Sequence, residues 1–274
     1  MPEESLRDRI GVDLGNKKPV EEGVKWAVEN GVKYIDIKIN DEPNDIRSFD
    51  EARCKSIREA CEKHQIHLGI HTESAVNIAE TTPILAEAAD EYLKSFIDIE
   101  KRLNAEWMVV HAGYHFGDFI SRRNASLERL QRAVDYAEKQ NVQLLLESMN
   151  KEPEDAEVHY LGYNVEECRW YFDKLQSPHI AWSFTINHAH LVPEGIDGFL
   201  DSLDFSRCKE VRVADCFRNG IEVHLKPGEG DLPFGDVLKR IEGLGYTGHY
   251  TNAFGTWEDR LAGRDYMVDA YENA

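Results

Sequence analysis

Short apolar segments rich in β-branched residues recur along the whole chain and are separated by longer amphipathic segments. Runs such as WMVVHAG and QLLLESM are apolar on both faces, which is typical of strands in a parallel sheet covered on both sides. The pattern predicts eight strands, at Ile10–Leu14, Tyr34–Ile39, His67–Thr72, Trp107–Gly113, Gln143–Met149, Ile180–Ile186, Glu210–Cys216 and His249–Phe254.

The intervals between these strands carry apolar residues at helical spacing. They predict eight helices, at Val20–Glu29, Phe49–Lys63, Thr82–Leu103, Leu127–Lys139, Val165–Leu175, Gly195–Leu203, Gly235–Gly243 and Trp257–Tyr271. Strict alternation favours an α/β fold of the (β/α)8 TIM barrel type, which is about 250 residues long. A doubly wound sheet usually has only about six strands. Since no linker divides the chain, we predict one TIM barrel domain over residues 1–274.

Composition narrows the choice of partners and cofactors. The chain has 51 Asp and Glu against 32 Lys and Arg, a net charge of −19, which opposes binding to nucleic acid or an anionic membrane. The N-terminal MPEESLRDRI lacks the apolar core of a signal peptide, so we expect a cytoplasmic protein. No glycine-rich phosphate loop follows a strand, so we expect no nucleotide cofactor. Whether the protein forms a homo-oligomer is left open by the sequence.

Polar residues end nearly every predicted strand, and a TIM barrel places its chemistry at these C-terminal strand ends. Charged and imidazole side chains are rare at such positions unless they are paired or used, so we predict a functional site there. The candidates are Asp36, Lys38, His71, Glu73, His111, Glu147, Asn150, Thr185, His188, His190, Arg212, Asp215 and Asn252, joined by His224 and Glu229 from a later loop.

Several motifs at these positions resemble the xylose isomerase-like barrels, the superfamily of sugar isomerases and epimerases, sugar-acid dehydratases and endonuclease IV. PGEGDLPF, followed by a helix and G-Y-x-G, is the most specific of them. The matching segments are GIHTE (Gly69–Glu73), VVHAG (Val109–Gly113), LLLESMN (Leu144–Asn150), FTINHAH (Phe184–His190), RVADC (Arg212–Cys216), PGEGDLPFGDVLKRIEGLGYTG (Pro227–Gly248) and TNAF (Thr251–Phe254).

The resemblance implies a metal site, but this chain differs from the family at three of the four ligand positions. Sugar-isomerising members typically hold one divalent metal through Glu, Asp, His and Glu from strands five to eight. Glu147 matches the first of these ligands, but the other three positions hold Thr185, Arg212 and Asn252. One carboxylate beside a guanidinium does not hold a divalent ion at that place, so we expect the usual metal site to be lost.

Two further ligand groups are implied by the endonuclease IV-like members. His71, His111 and Glu147 match one of them, and His188, Glu222 and His224 match another. Two imidazoles and a carboxylate are typical of catalytic zinc. We favour the alternative, in which His71 and His111 donate hydrogen bonds to substrate hydroxyls. One divalent metal (zinc, manganese or magnesium) is the single cofactor we consider, with His71, His111 and Glu147 as its ligands.

Arg212 places a fixed positive charge near the predicted cavity. A guanidinium can polarise a carbonyl or bind a carboxylate or phosphate through two hydrogen bonds. Alternatively, Arg212 forms a salt bridge with Glu147 or Asp215 and only neutralises buried acids. The first interpretation predicts that Arg212→Ala weakens substrate binding far more than it lowers stability.

Our leading hypothesis is an enzyme that transfers a proton beside a carbonyl of a small polyhydroxylated substrate, in an isomerisation, epimerisation or dehydration. Glu147, His188 and Arg212 are the predicted catalytic residues, the first two as base and acid. The alternatives are an endonuclease IV-like phosphoesterase and a non-catalytic sugar-binding barrel. The predicted substrate-binding residues are His71, His111, Thr185, Asp215, His224, Glu229 and Asn252.

Overall fold

The computed structural model describes residues 4–218 and 220–274. Eight parallel strands close into a barrel in the order β1-β8-β7-β6-β5-β4-β3-β2, so that β1 pairs with both β2 and β8. This closure confirms the predicted TIM barrel. The strands are β1 (Ile10–Asp13), β2 (Tyr34–Ile37), β3 (His67–His71), β4 (Trp107–Val110), β5 (Leu144–Glu147), β6 (Ile180–Thr185), β7 (Cys208–Val213) and β8 (His249–Asn252).

Helices surround the barrel and cover its apolar outer face. Within the described part of the chain, none of them combines the length and the apolar character that crossing a membrane requires. They are α1 (Leu6–Arg9), α2 (Val20–Glu29), α3 (Glu51–His64), α4 (Pro83–Leu103), α5 (Phe119–Gln140), α6 (Val165–Phe172), α7 (Ile186–His190), α8 (Gly195–Ser202), α9 (Phe234–Gly243) and α10 (Trp257–Asn273), with 3-10 turns at Ile46–Ser48 and Phe205–Arg207.

Three local features differ from the predicted pattern. Helix α5 begins at Phe119 rather than Leu127, because its first two turns, FISRRNAS, are too polar to show an apolar face. The segment carrying His188 and His190 is the short helix α7, not a loop. Two-residue strands at Tyr114–His115 and His159–Tyr160 pair in antiparallel fashion beyond the ends of β4 and β5.

The barrel interior changes from apolar to charged along its axis. Tyr34, Trp107 and their apolar neighbours fill the N-terminal end of the barrel as a separate cluster. Gly69 on β3 makes room there, since a Cβ at this position would lie 2.0 Å from the Trp107 ring. Trp107 Nε1 donates to Asp36 Oδ1 over 2.8 Å, and this contact fixes Asp36 inside the barrel. Charged groups therefore begin directly above the apolar cluster.

Candidate functional site

A cavity of about 420 Å³ lies at the C-terminal ends of the strands. It brings together all three predicted catalytic residues and four of the seven predicted substrate-binding residues. Asp215, Glu229 and Asn252 do not line it. The predicted residues in its wall are Glu147, His188, Arg212, His71, His111, Thr185 and His224.

Glu147 is the central group of this cavity. It ends β5, and its side chain is only 5 % exposed. One carboxylate oxygen, Oε2, lies 3.1 Å from His111 Nε2 and 3.3 Å from His71 Nε2. The other, Oε1, accepts a 2.5 Å hydrogen bond from the Thr185 hydroxyl and lies 3.8 Å from His188 Nδ1. Glu147 thus contacts residues from strands β3, β4 and β6 and from helix α7.

The hydrogen bonds of His71 and His111 assign the position of their ring hydrogens. His71 Nδ1 lies 2.7 Å from the Thr72 carbonyl, which only accepts, so Nδ1 carries the hydrogen. The Thr72 hydroxyl donates to the Val109 carbonyl and therefore accepts from His111 Nδ1 at 3.1 Å. In their neutral forms, both rings present an unprotonated Nε2 to Glu147. A proton or a cation is needed where these lone pairs and the carboxylate meet.

A proton is disfavoured at His71, because burial and the nearby Arg212 lower its pKa to about 4. Burial by itself raises the pKa of Glu147, but the imidazoles of His111 and His71 hold it well below its usual range. An ionised carboxylate therefore faces at least one neutral imidazole. Histidine rings that donate one N–H to a backbone or hydroxyl oxygen and turn the bare nitrogen towards a carboxylate are typical of metal ligands.

His188, Glu222 and His224 form a second group of the same composition, with all donor atoms within 4.8 Å of one another. The Nδ1 atoms of His188 and His224 each lie 2.8 Å from a backbone carbonyl, so their Nε2 atoms face Glu222, at 3.6 and 2.6 Å. Glu222 Oε1 is buried and makes no hydrogen bond of normal geometry. Although burial opposes it, Glu222 raises the pKa of His224, so a proton can bind here.

Arg212 lines the cavity and bridges buried carboxylates. Its Nη2 lies 2.9 Å from Asp13 Oδ2 on β1, and its Nη1 contacts Asp36 on β2 and, at 3.0 Å, Glu210 Oε1 on β7. The Arg212 side chain is only 4 % exposed. Burial lowers its pKa, but the surrounding carboxylates raise it well above its usual value, so Arg212 stays charged.

These contacts correct the expected partners of Arg212. The salt bridge with Asp215 is not formed, and Glu147 lies at the outer limit of an ion pair, with 4.0 Å between Arg212 Nε and Glu147 Oε1. Three other acids engage its Nη1 and Nη2 atoms instead. A role for Arg212 in binding or polarising the substrate stays a prediction.

Asp215 and Glu229 belong to the loop of the PGEG motif rather than to the cavity. Asp215 accepts hydrogen bonds from the backbone amides of Gly228, Gly230 and Leu232 at 2.8–3.2 Å. A Cβ at Gly230 would lie 2.3 Å from the Asp215 carboxylate, which explains glycine at this position. Glu229 is exposed and accepts from the Lys226 amide. The motif thus fixes a turn on Asp215.

Asn252 is fully buried behind the cavity wall, where its side-chain amide donates to the Arg260 carbonyl over 3.1 Å. The cavity contains other polar groups that were not selected as site residues, among them Asp13 and Arg260. Asp13 ends β1, so the strand-end rule would have found it. Arg260 lies inside α10 and gives no such signal, because only the folded chain brings it to the cavity.

Comparisons with known proteins agree with this geometry. A sequence model of the xylose isomerase-like TIM barrel family matches residues 24–264. The chain belongs to this family. The match confirms the resemblance found in the motifs.

Relatives within this family carry different names. The chain is 25 % identical over 253 residues to a probable endonuclease 4 of Staphylococcus saprophyticus, covering 87 % of this chain and 81 % of that protein. It is 24 % identical over 164 residues to a fructoselysine 3-epimerase of Shigella flexneri, covering 59 % of this chain but only 56 % of that protein. A solved D-tagatose 3-epimerase-like protein superposes with a TM-score of 0.82 at 20 % identity, over 97 % of both chains.

Proposed function

We propose that this protein epimerises or isomerises a small polyhydroxylated substrate by proton transfer at the carbon beside its carbonyl group. The observation that supports this most is the Glu147 carboxylate in the cavity, which accepts a hydrogen bond from Thr185 and lies beside two imidazoles. The epimerase names among the relatives and structural neighbours favour the same class of reaction.

In this proposal Glu147 accepts the proton, and the carbon–hydrogen electron pair becomes the double bond of an enediolate. The Thr185 hydrogen bond orients the carboxylate while it does so. His188, which lies 3.8 Å from Glu147 Oε1, returns a proton to the carbon from its Nε2 atom, and solvent then removes the proton from Glu147 and restores the one on His188. His111 and His224 border the same cavity, and in this proposal their Nε2 atoms bind substrate hydroxyls when no metal occupies them.

The family implies a divalent metal. The residues at one candidate position fit such an ion, and those at the other do not. The usual four-ligand position does not fit, because Thr185, Arg212 and Asn252 replace three of its ligands. The group of His71, His111 and Glu147 does fit, since an imidazole nitrogen of each histidine and a carboxylate oxygen lie within 4.8 Å of one another. When bound there, a zinc or manganese ion would polarise a substrate oxygen.

The test is an assay of free and phosphorylated ketoses and aldoses for epimer formation, with the EDTA-treated protein alone or with Zn²⁺, Mn²⁺ or Mg²⁺. We expect turnover of at least one sugar and a rise in melting temperature with one of the metals. His111→Gln should abolish the metal-induced rise, whereas the exposed His64→Gln should keep it. A protein that binds sugars but converts none would instead be a non-catalytic barrel.

A metal-dependent phosphoesterase is the second candidate. Two His–Glu groups within one cavity favour it, as does the similarity to the probable endonuclease 4. The net charge of −19 opposes binding to DNA. Cleavage of abasic DNA at physiological salt would support this candidate over the epimerase.

A further inference from the structure

Two cations, Lys38 and Arg260, line the cavity beside the end of β1. Lys38 follows β2, and Arg260 lies in the first turns of α10, which follows β8. Strand β1 pairs with both β2 and β8, and Gly15 and Asn16, which follow β1, line the cavity as well. The wall formed by β8, β1 and β2 is therefore lined by two positive side chains and two small polar residues. We call it the cationic wall.

Arg260 is held rigidly in this wall. Its Nε donates to the Phe254 carbonyl over 2.8 Å, and its Nη1 donates to the Asp13 carbonyl. The Asn252 side chain in turn donates to the Arg260 carbonyl. These contacts leave Nη2 without a hydrogen bond among the described residues. An arginine fixed on two backbone oxygens, with its remaining nitrogen at a cavity, is preorganised to bind an acceptor.

Neither cation has a carboxylate partner in the described chain, since no salt bridge within 4.0 Å involves Lys38 or Arg260. Asp13 interacts electrostatically with both cations, but its carboxylate already binds Arg212 Nη2 at 2.9 Å and the Gly15 amide at 2.7 Å. Arg212 shares its single positive charge among Asp13, Asp36 and Glu210. In a protein of net charge −19, two unpaired cations in one cavity wall are a specific feature.

We propose that the cationic wall binds an anionic substituent of the substrate, a phosphate or a carboxylate, through Lys38 and Arg260. This rests on the proposed function, because the rest of the cavity must then hold the polyhydroxylated part. The anion takes the free Nη2 of Arg260 and the ammonium of Lys38 as charge-assisted donors. The reacting carbon lies on the opposite side, near Glu147.

The test uses inorganic phosphate and malonate as probes of the two anion types, with EDTA-treated protein so that no metal binds them. Calorimetry should show binding of one or both to the wild-type protein. Lys38→Met should raise the dissociation constant about tenfold or more, the loss expected for one charged hydrogen bond. Lys17→Met, an exposed lysine near the same loop, should leave it unchanged.

Lys38 makes only a backbone hydrogen bond, so Lys38→Met should fold even if Arg260→Gln does not. Equal anion affinity in the wild-type protein and Lys38→Met, or no binding of either probe at millimolar concentration, would overturn the proposal. Anion binding that depends on Lys38, without conversion of any sugar, would retain the anion site and refute the epimerase. Conversion of neutral sugars without anion binding would refute the anion site and retain the epimerase.

Discussion

At the scale of single residues, Arg212 shows what sequence can and cannot predict. Its place near the end of a predicted strand led us to expect a positive charge at the barrel mouth, and Arg212 does line the cavity there. Its partners could not be read from the sequence, because Asp13 and Asp36 come from strands two and three positions away around the closed barrel. Because the Arg212 guanidinium binds three buried acids, its first role is to stabilise the folded barrel.

Arg212→Met should therefore lower the free energy of unfolding by about 3–5 kcal/mol, because it leaves Asp13, Asp36 and Glu210 buried without their cation. This reverses the expectation from sequence that binding would suffer more than stability. Arg132→Met, which removes an exposed pair with Asp90, should cost less than about 1 kcal/mol. Urea unfolding followed by circular dichroism measures both. Equal losses would contradict the contacts described here.

At the scale of elements, strands were easier to predict than the polar segments between them. Apolar runs located all eight strands, but the polar start of α5 and the short helix α7 gave no periodic signal. The PGEG motif was correctly recognised as specific, yet its cause is the capture of three loop amides by Asp215. A motif can thus be required for a turn rather than for contact with substrate.

Helix α4 contains an unusual buried acid, Glu100. Its side chain is 1 % exposed, and neither carboxyl oxygen makes a hydrogen bond of normal geometry. Burial raises the pKa of Glu100 well above its usual value of 4.5. Because the folded chain then holds the proton more tightly than the unfolded chain, this group favours folding at acidic pH, and its contribution is lost as the pH rises above 4.5.

Glu100→Gln removes this titration while it preserves the shape of the side chain. We expect the melting temperature of the variant, relative to wild type, to increase steadily from pH 4 to pH 8. Glu87→Gln, on an exposed position of the same helix, should show no such trend. Thermal unfolding over this pH range checks the difference. A constant offset between Glu100→Gln and wild type would argue against a protonated Glu100.

At the scale of the whole molecule, strict alternation and the strand-end rule predicted the barrel and most of its cavity. The two His–Glu groups were indicated by the family resemblance, but nothing in the sequence predicted the cationic wall. That wall depends on Arg260, which reaches the end of β1 from a helix more than two hundred residues later. Barrel closure brings such residues together, and no local sequence pattern indicates which of them will meet.

Proton transfer by Glu147 at a substrate carbon can be followed by solvent exchange, with candidate sugars incubated in D₂O and observed by NMR. We expect deuterium at the carbon beside the carbonyl with wild-type protein, a loss of about 10³-fold in the exchange rate with Glu147→Gln, and no change with the exposed Glu128→Gln. Exchange that persists in Glu147→Gln, or product formed without deuterium, would refute this role of Glu147.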